Sequence, residues 1–320
     1  MKILFISTKN LNAQGDYLEI TIINGMRKLL GSSFIEYPRK DILYGDFTKS
    51  PKSNLHGQGF SLLRNPIEDV DRNDVLNQKY DVIIYGSGHL VGEEIYIDEI
   101  DKLANNNVWI LDGHDLYGDA PIKKLYNNEC IIANQFSNSF KRELIFEEEK
   151  VYPTGYGIPE EIILEIDYTK KTQLHQKSYP KFAKFENPTD LGGSRNHHIF
   201  NSEEEYFDDI SSSWFGLTCI KGGWDSLRHY EIIAAGSLLL FRDYDKKPPK
   251  CSPQNLPCFS YENINELEYL FSNLIVKNKP TKQYIEMLNK QRKWLYQNGT
   301  TLSRAKNIFE VLKLNTKNIN

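Results

Sequence analysis

Residues that can bind an anionic ligand stand close together in the second half of the chain. Gly222 and Gly223 form a glycine pair directly before a segment of helical spacing. Glycines before a helix let a ligand approach the backbone amides, and the helix dipole adds partial positive charge there. The side chains of Lys221, Arg228 and His229 supply further donors. The loop and the helix start therefore predict an anion-binding site.

A carboxylate follows one turn further into the same segment. Glu231 lies at i+3 from Arg228, which places both side chains on roughly one side of a helix. There the carboxylate can accept hydrogen bonds from a pair of hydroxyl groups. The alternative is ordinary structure, in which the two side chains form an ion pair on a buried helix between two strands.

The surrounding residues predict the elements that hold these groups. Apolar residues recur at helical spacing from Leu227 to Ala234, and Gly236 follows them. A glycine after the last periodic residue is typical of a helix C-cap. The apolar run from Leu238 to Phe241 then predicts a buried strand.

The string GGWDSLRHYEIIAAGSLLLF, followed by Asp243 and a proline pair, resembles the donor-binding segment of GT-B-fold glycosyltransferases. The resemblance implies that the loop and the helix start hold the diphosphate of a nucleotide-sugar, and that Glu231 binds the ribose hydroxyls. No cofactor and no metal are expected, because the nucleotide-sugar is itself a substrate. The residues expected to contact this donor are Arg195, Lys221, Gly222, Gly223, Trp224, Asp225, Arg228, His229 and Glu231.

The chain departs from the family pattern at one position. Many retaining members carry a second acidic residue ahead of the ribose-binding Glu, in an E-x7-E pattern, and that position is Gly223 here. Asp225 is the nearest carboxylate. The stereochemical outcome of the transfer is therefore open.

Apolar strands alternate with helical stretches along the first half of the chain. The strands are predicted at 2–7, 34–37, 81–85, 108–111, 130–133 and 150–152, and the helices at 17–30, 93–103 and 137–146. Such alternation is typical of a parallel sheet covered on both faces. In the second half, helices are predicted at 203–210, 264–274, 281–296 and 302–314, and strands at 215–220, 238–241 and 258–261.

Gly155, Gly157 and Pro159 interrupt this pattern and predict a hinge. The predicted fold class is α/β and GT-B-like, with two Rossmann-type domains facing a central cleft. Residues 1–158 would form the N-terminal acceptor domain and residues 159–320 the donor domain. The resemblance also implies that the terminal helix packs back on the N-terminal domain.

The catalytic base is expected in a loop after a strand of the first domain, because it must deprotonate the acceptor hydroxyl. Asp16 follows the first strand, His114 and Asp115 follow the fourth, and His89 follows the third. A histidine near a carboxylate is a suitable base. Asp16 and Asp115 also fit as helix N-caps. A metal site from these residues is disfavoured, because their spacing matches no metal motif.

Composition limits the class of protein. The 320 residues are 40% hydrophobic and 26% charged, as in soluble globular proteins, and leave room for two domains. A net charge of -4 gives no basic surface for nucleic acid. No apolar run is long enough for a membrane span, so a cytoplasmic location is expected, with peripheral attachment at the inner membrane left open. The four cysteines match neither a disulfide framework nor a zinc pattern.

These features together predict a glycosyltransferase that moves a sugar from a nucleotide-sugar to a glycan or glycolipid acceptor. The resemblance implies that its setting is the synthesis of bacterial surface polysaccharide, capsule or lipooligosaccharide. The alternatives are a non-catalytic module of the same fold, and an epimerase or phosphorylase. The missing phosphate-loop and G-x-S-x-G motifs disfavour a phosphate-loop NTPase and a serine hydrolase. The oligomeric state is open.

Overall fold

The computed structural model of the protein describes residues 1–7, 17–45, 65–87, 107–113, 138–143, 151–186, 200, 202–220 and 222–316. The predicted strand 130–133 and the predicted helix 93–103 lie outside the described residues. The predicted site residues that lie outside them are Asp16, His89, His114, Asp115, Arg195 and Lys221.

A parallel sheet of six described strands forms the first part of the molecule, in the order β2-β1-β3-β4-β5-β6. Its strands are β1 Ile3–Ile6, β2 Phe34–Tyr37, β3 Val82–Ser87, β4 Val108–Asp112, β5 Asn138–Lys141 and β6 Val151–Pro153. Successive residues of β1 point to opposite faces and all are buried, Ile3 and Phe5 in one apolar cluster and Leu4 and Ile6 in another. Burial on both faces is why these strands read as continuous apolar runs.

The second sheet contains four described parallel strands, in the order β10-β9-β8-β7. They are β7 Gln173–His175, β8 Ser213–Thr218, β9 Leu238–Arg242 and β10 Phe259–Tyr261, and a short antiparallel pair, β11 Ile275–Val276 and β12 Lys279–Pro280, follows. The described α-helices are α1 Tyr17–Leu30, α2 Glu203–Ser211, α3 Leu227–Ala234, α4 Ile264–Leu274, α5 Lys282–Trp294 and α6 Thr301–Thr316. Within the described ranges, no helix has both the length and the apolar stretch that crossing a bilayer requires.

The predicted helix at 137–146 is wrong over its first part, because residues Asn138–Lys141 form strand β5. β5 pairs with β4 on one side and β6 on the other. Phe140 points into the core and stacks on Trp109 with ring centroids 4.9 Å apart. Pairing with two neighbouring strands determines the extended conformation of residues Asn138–Lys141. The segment is mostly polar, so it contains no apolar run from which a strand could be predicted.

The C-terminal helix α6 packs against helix α1, which follows strand β1 of the first sheet. The Thr301 hydroxyl donates to the side-chain oxygen of Asn24 at 2.8 Å. Gly25 makes this close approach possible, since a Cβ at that position would stand 2.0 Å from the Thr301 carbonyl oxygen. The segment between the sheets also meets this region, where Ile158 pairs with Thr300.

We expect Gly25→Ala to destabilise the protein although alanine is the better helix former. Helix propensity favours alanine by about 1 kcal/mol. Overlap with a backbone oxygen forces α1 and α6 apart, and overpacking of this kind costs about 3 kcal/mol or less. Urea unfolding should therefore show a net loss of stability.

Gly31→Ala at the end of α1 is the matched control. Gly31 has a φ of +56° and a Cβ there meets no atom within 4 Å, so only backbone strain of about 1 kcal/mol applies. A Gly25→Ala protein at least as stable as the original would contradict the close packing of α1 on α6.

Candidate functional site

The loop 222–226 and the start of α3 form the candidate site, beyond the carboxyl end of β8. Parallel α/β sheets place ligands at this edge. Gly222 is exposed and Gly223 is buried. Gly236 ends the segment with a φ of +78°, as the sequence predicts for a C-cap glycine.

Two backbone amides of the loop bind a carboxylate of the first sheet. Glu143, which follows β5, accepts from the amide of Asp225 at 3.1 Å and from the amide of Trp224 at 3.2 Å. A Cβ at Gly223 would stand 2.4 Å from the same carboxylate. Glycine at 223 therefore lets the carboxylate approach the bare backbone.

Arg142 balances the charge of Glu143. Its guanidinium donates to Glu143 at 2.9 Å, to the carbonyl of Asp225 at 3.1 Å and to the carbonyl of Gly113 at 3.1 Å. Both side chains of the pair are fully buried. Burial raises the pKa of Glu143 despite the opposing charge of Arg142. The loop after β8 is thus joined to the ends of β4 and β5.

The carboxylate of Asp225 is used within the chain. One oxygen accepts from the backbone amide of Tyr156 at 2.8 Å and the other from the hydroxyl of Tyr230 at 2.7 Å. Burial, followed by the charge of Asp225, raises the pKa of Tyr230 well above its ordinary value, so the phenol stays a donor. Asp225 therefore fixes the loop to the segment between the two sheets and to α3.

His229 is buried, and both its ring nitrogens have partners. Nε2 lies 2.9 Å from the carbonyl of Trp224 and Nδ1 lies 3.1 Å from the hydroxyl of Thr218. Burial lowers the pKa of His229 to about 4. At neutral pH the ring is therefore uncharged. Its contacts, and the packing of Trp224 on Phe241, hold the loop against the end of β8.

Glu231 is held by a tyrosine from the neighbouring helix. The hydroxyl of Tyr206, in α2, donates to Glu231 Oε2 at 2.7 Å. Burial and the nearby carboxylate raise the pKa of Tyr206 well above its ordinary value, so the phenol remains a hydrogen-bond donor. Glu231 is 8% exposed. The hydrogen bond from Tyr206 therefore helps to orient this carboxylate.

Arg228 is half-buried beside this carboxylate. Among the described residues its guanidinium makes no hydrogen bond and no ion pair, so the i,i+3 pair with Glu231 does not form. The backbone amides of Leu227 and Arg228 also bond to no described residue. Ser226, the N-cap, makes no side-chain capping bond. A cation and two open helix amides therefore stand together at the start of α3.

Across the first sheet, buried polar residues lie at the carboxyl ends of the strands. Glu19, in the first turn of α1, accepts from the hydroxyl of Ser7 and lies 3.4 Å from Lys40. Asp112 ends β4 and is 2% exposed. The predicted bases Asp16, His114 and Asp115 lie outside the described residues.

The sequence did not identify three side chains that shape this site: Arg142, Glu143 and Tyr206. Arg142 and Glu143 come from a stretch predicted as helix. They contact Asp225, which is 83 and 82 residues further along the chain. The charged pair directly after a strand of the first sheet is the one available signal, because such loops carry ligand-binding groups.

Comparison with known proteins gives the fold. No protein-family model matches the chain, and no curated protein matches it by sequence. Solved structures match along almost the full length. HepE of Anabaena in complex with UDP-glucose has a TM-score of 0.51 and 11% identity, over 98% of this chain and 99% of that chain.

Two other structures match similarly. A glycosyltransferase of Rickettsia africae has a TM-score of 0.54 and 11% identity, over 98% of both chains. The N-terminal domain of trehalose-6-phosphate phosphatase from Candida albicans has a TM-score of 0.52 and 10% identity, over 98% of this chain and 96% of that chain. The protein therefore has a mixed α/β, GT-B-like fold, as the sequence predicts.

We expect Glu143→Gln to destabilise the protein by about 3–5 kcal/mol, because it removes the buried carboxylate that pairs with the buried charge of Arg142. The amide NH2 of glutamine would also face the loop amides. Chemical denaturation measures the loss. Glu310→Gln removes the same charge from an exposed pair with Lys313 and should cost about 1 kcal/mol or less. Equal effects of the two substitutions would contradict the buried pair.

The stability of the protein should fall on acidification partly because His229 must stay neutral. Its pKa is about 4 when folded, against an ordinary 6.5. The unfolded state therefore binds more protons between these values, and stability is lost as the pH falls from 6.5 to 4. His229→Gln removes this pH-dependent loss of stability, which amounts to about 3 kcal/mol.

The measurement compares urea unfolding of the two proteins at pH 7 and pH 4.5. The variant should lose less stability than the original protein over this interval. His175→Gln is the control, because His175 is half-buried with a more moderately lowered pKa. Parallel losses in the original and the His229→Gln protein would show that His229 is not held neutral.

Proposed function

We propose that this protein, whose fold is GT-B-like, is a glycosyltransferase that uses a nucleotide-sugar donor. The observation that carries the proposal is the start of α3. There, Arg228 and two backbone amides that bond to no described side chain or carbonyl stand one turn before the carboxylate of Glu231, which Tyr206 orients. This arrangement offers positive charge for a diphosphate and an acceptor for a pair of hydroxyls. The solved structure of HepE with UDP-glucose supports it.

Glu231 would bind the ribose, and Arg228 with the amides at the start of α3 would bind the diphosphate. Gly222, which is exposed, and Lys221 and Arg195 would lie along the same ligand. Trp224, Asp225 and His229 would act by holding the loop, since the Trp224 backbone, the Asp225 carboxylate and the His229 ring are bonded within the chain.

The proposed reaction breaks the bond between the sugar C1 and the diphosphate oxygen and forms a bond from C1 to an acceptor hydroxyl oxygen. The leaving diphosphate takes the electron pair of the broken bond, and Arg228 and the helix amides stabilise that charge. The acceptor proton passes to a base. We propose Asp16, His114 or Asp115 for this role. The proposal extends to a glycan or glycolipid acceptor in surface polysaccharide, capsule or lipooligosaccharide synthesis.

The occupied amides of Trp224 and Asp225 favour a second candidate, a module that binds a nucleotide-sugar without transferring the sugar. Glu143 already holds the two loop donors that could otherwise bind the leaving group. Slow hydrolysis of a nucleotide-sugar during incubation distinguishes the two candidates. An active transferase slowly transfers the sugar to water when no acceptor is present, and a binding module does not.

The roles of Glu231 and Arg228 can be separated by the ligand. A nucleoside diphosphate should bind roughly 10-fold or more tightly than its 2′-deoxy analogue, because a hydrogen bond to a charged group contributes about 1.5–3 kcal/mol. Glu231→Gln should lose this preference. Arg228→Gln should keep it and bind both diphosphates more weakly. Calorimetry with the UDP, GDP, CDP and dTDP series measures these affinities.

Glu268→Gln in α4 is the matched control for the charge change, because Glu268 is exposed there. It should leave every affinity unchanged. Glu231→Gln with an unchanged ribose preference would refute the ribose assignment. Absence of binding to all nucleoside diphosphates and their sugar conjugates would refute the proposed function.

A further inference from the structure

A cavity of about 180 Å³ lies where the edge of the first sheet meets the C-terminal helices. Phe140 of β5, Pro153 of β6 and Ile308 of α6 form apolar parts of its wall. Neither Arg228 nor Glu231 lines it. The cavity is therefore a different place from the candidate donor site, and a ligand bound in it would be independent of the proposed function.

Arg304 brings a buried positive charge to this cavity. The side chain is 6% exposed and lines the cavity wall. Nε donates to the carbonyl of Tyr156 at 2.9 Å, and Nη2 donates to the hydroxyl of Tyr230 at 3.2 Å. Both acceptors are neutral. Among the described residues Arg304 forms no ion pair, and its Nη1 makes no hydrogen bond.

Side-chain amides surround the same space. Gln254, Asn255, Asn298 and Asn307 line it, and no acidic side chain in the described part of the chain does. The amides of Gln254, Asn255 and Asn307 bond to no other described residue. Each amide has two donors and an acceptor. The cavity therefore offers one cation and several groups that match hydroxyls.

The size of the cavity limits the ligand. A cavity of about 150 Å³ in another protein holds benzene, so this one has room for about one six-membered ring, and part of a substituted ring would extend into the opening. Asn255 and Asn307 are exposed, which gives the space an opening to solvent. Trp294, also in the wall, donates its indole N–H to the Gln254 carbonyl at 2.9 Å, which fixes this part of the rim.

We infer that this cavity binds a single-ring sugar that carries one anionic group, a carboxylate or a phosphate ester. The anionic group would bind Arg304, whose guanidinium forms no direct ion pair with any described residue. The ring hydroxyls would bind the amides. Because Arg304 also bonds to Tyr230, and Tyr230 to Asp225, such a ligand would contact the network that holds the loop before α3.

Calorimetry on the full chain tests this inference with glucuronate, glucose 6-phosphate, neutral glucose and inorganic phosphate. One of the anionic sugars should bind at least tenfold more tightly than glucose and more tightly than phosphate alone. The titrations with glucuronate and glucose 6-phosphate show whether the site binds the carboxylate or the phosphate ester. If neither binds better than glucose, the inference is wrong.

Asn307→Asp gives a variant that keeps the size of the side chain and the fold. It places a negative charge at the opening and should weaken binding of the anionic sugar about tenfold. Asn273→Asp, the same change at an exposed position of α4, should have no effect. Equal weakening of binding by both variants, or no weakening by either, would contradict the assignment of this cavity as the binding site.

Arg304→Gln should abolish the preference for the anionic sugar over glucose, and a retained preference would also overturn the site. A UDP titration of the Asn307→Asp protein keeps the two sites apart. Its affinity for UDP should match that of the original protein. Failure of the original protein to bind UDP would count against the proposed function and leave the anionic-sugar result unaffected.

Discussion

The contact of the Glu143 carboxylate with two amides of the loop before α3 fixes how the two sheets meet. The amides of Trp224 and Asp225 are buried and need acceptors. A carboxylate supplies both bonds, and burying it requires a counter-charge, which Arg142 provides. Arg142 also binds the carbonyl of Gly113 at the end of β4. The loop thus has one position relative to the first sheet.

The same loop is held from its other side through Asp225. Its carboxylate joins the amide of Tyr156 to the hydroxyl of Tyr230, and Arg304 of α6 then binds Tyr230 and the carbonyl of Tyr156. Four residues, one each from the segment between the sheets, the loop before α3, α3 and α6, are therefore joined by hydrogen bonds. These contacts satisfy the loop, whereas the guanidinium of Arg228 at the start of α3 makes no hydrogen bond and no ion pair with any described residue.

The spacing of apolar residues and the positions of glycines predicted the helices and strands whose apolar residues recur regularly. Helix α1 ends before Gly31 and α3 before Gly236, as the glycines indicate, and β2 and α4 have the predicted limits. Strand β5 could not be found this way, because its conformation depends on pairing with β4 and β6. Spacing placed Arg228 and Glu231 on one helix. It could not show that Tyr206, from another helix, orients Glu231, since that contact exists only after α2 packs beside α3.

The structure explains why position 223 is a glycine and not an acidic residue, which the sequence alone does not show. The E-x7-E pattern places an acidic side chain there, and by sequence the carboxylate is simply missing. In the structure a Cβ at 223 would overlap the carboxylate of Glu143, 2.4 Å away. A carboxylate therefore does stand beside this position, supplied by the first sheet and bonded to the backbone amides of the next two residues. An acidic residue at 223 would add a second buried negative charge beside Glu143, so glycine and Glu143 depend on each other.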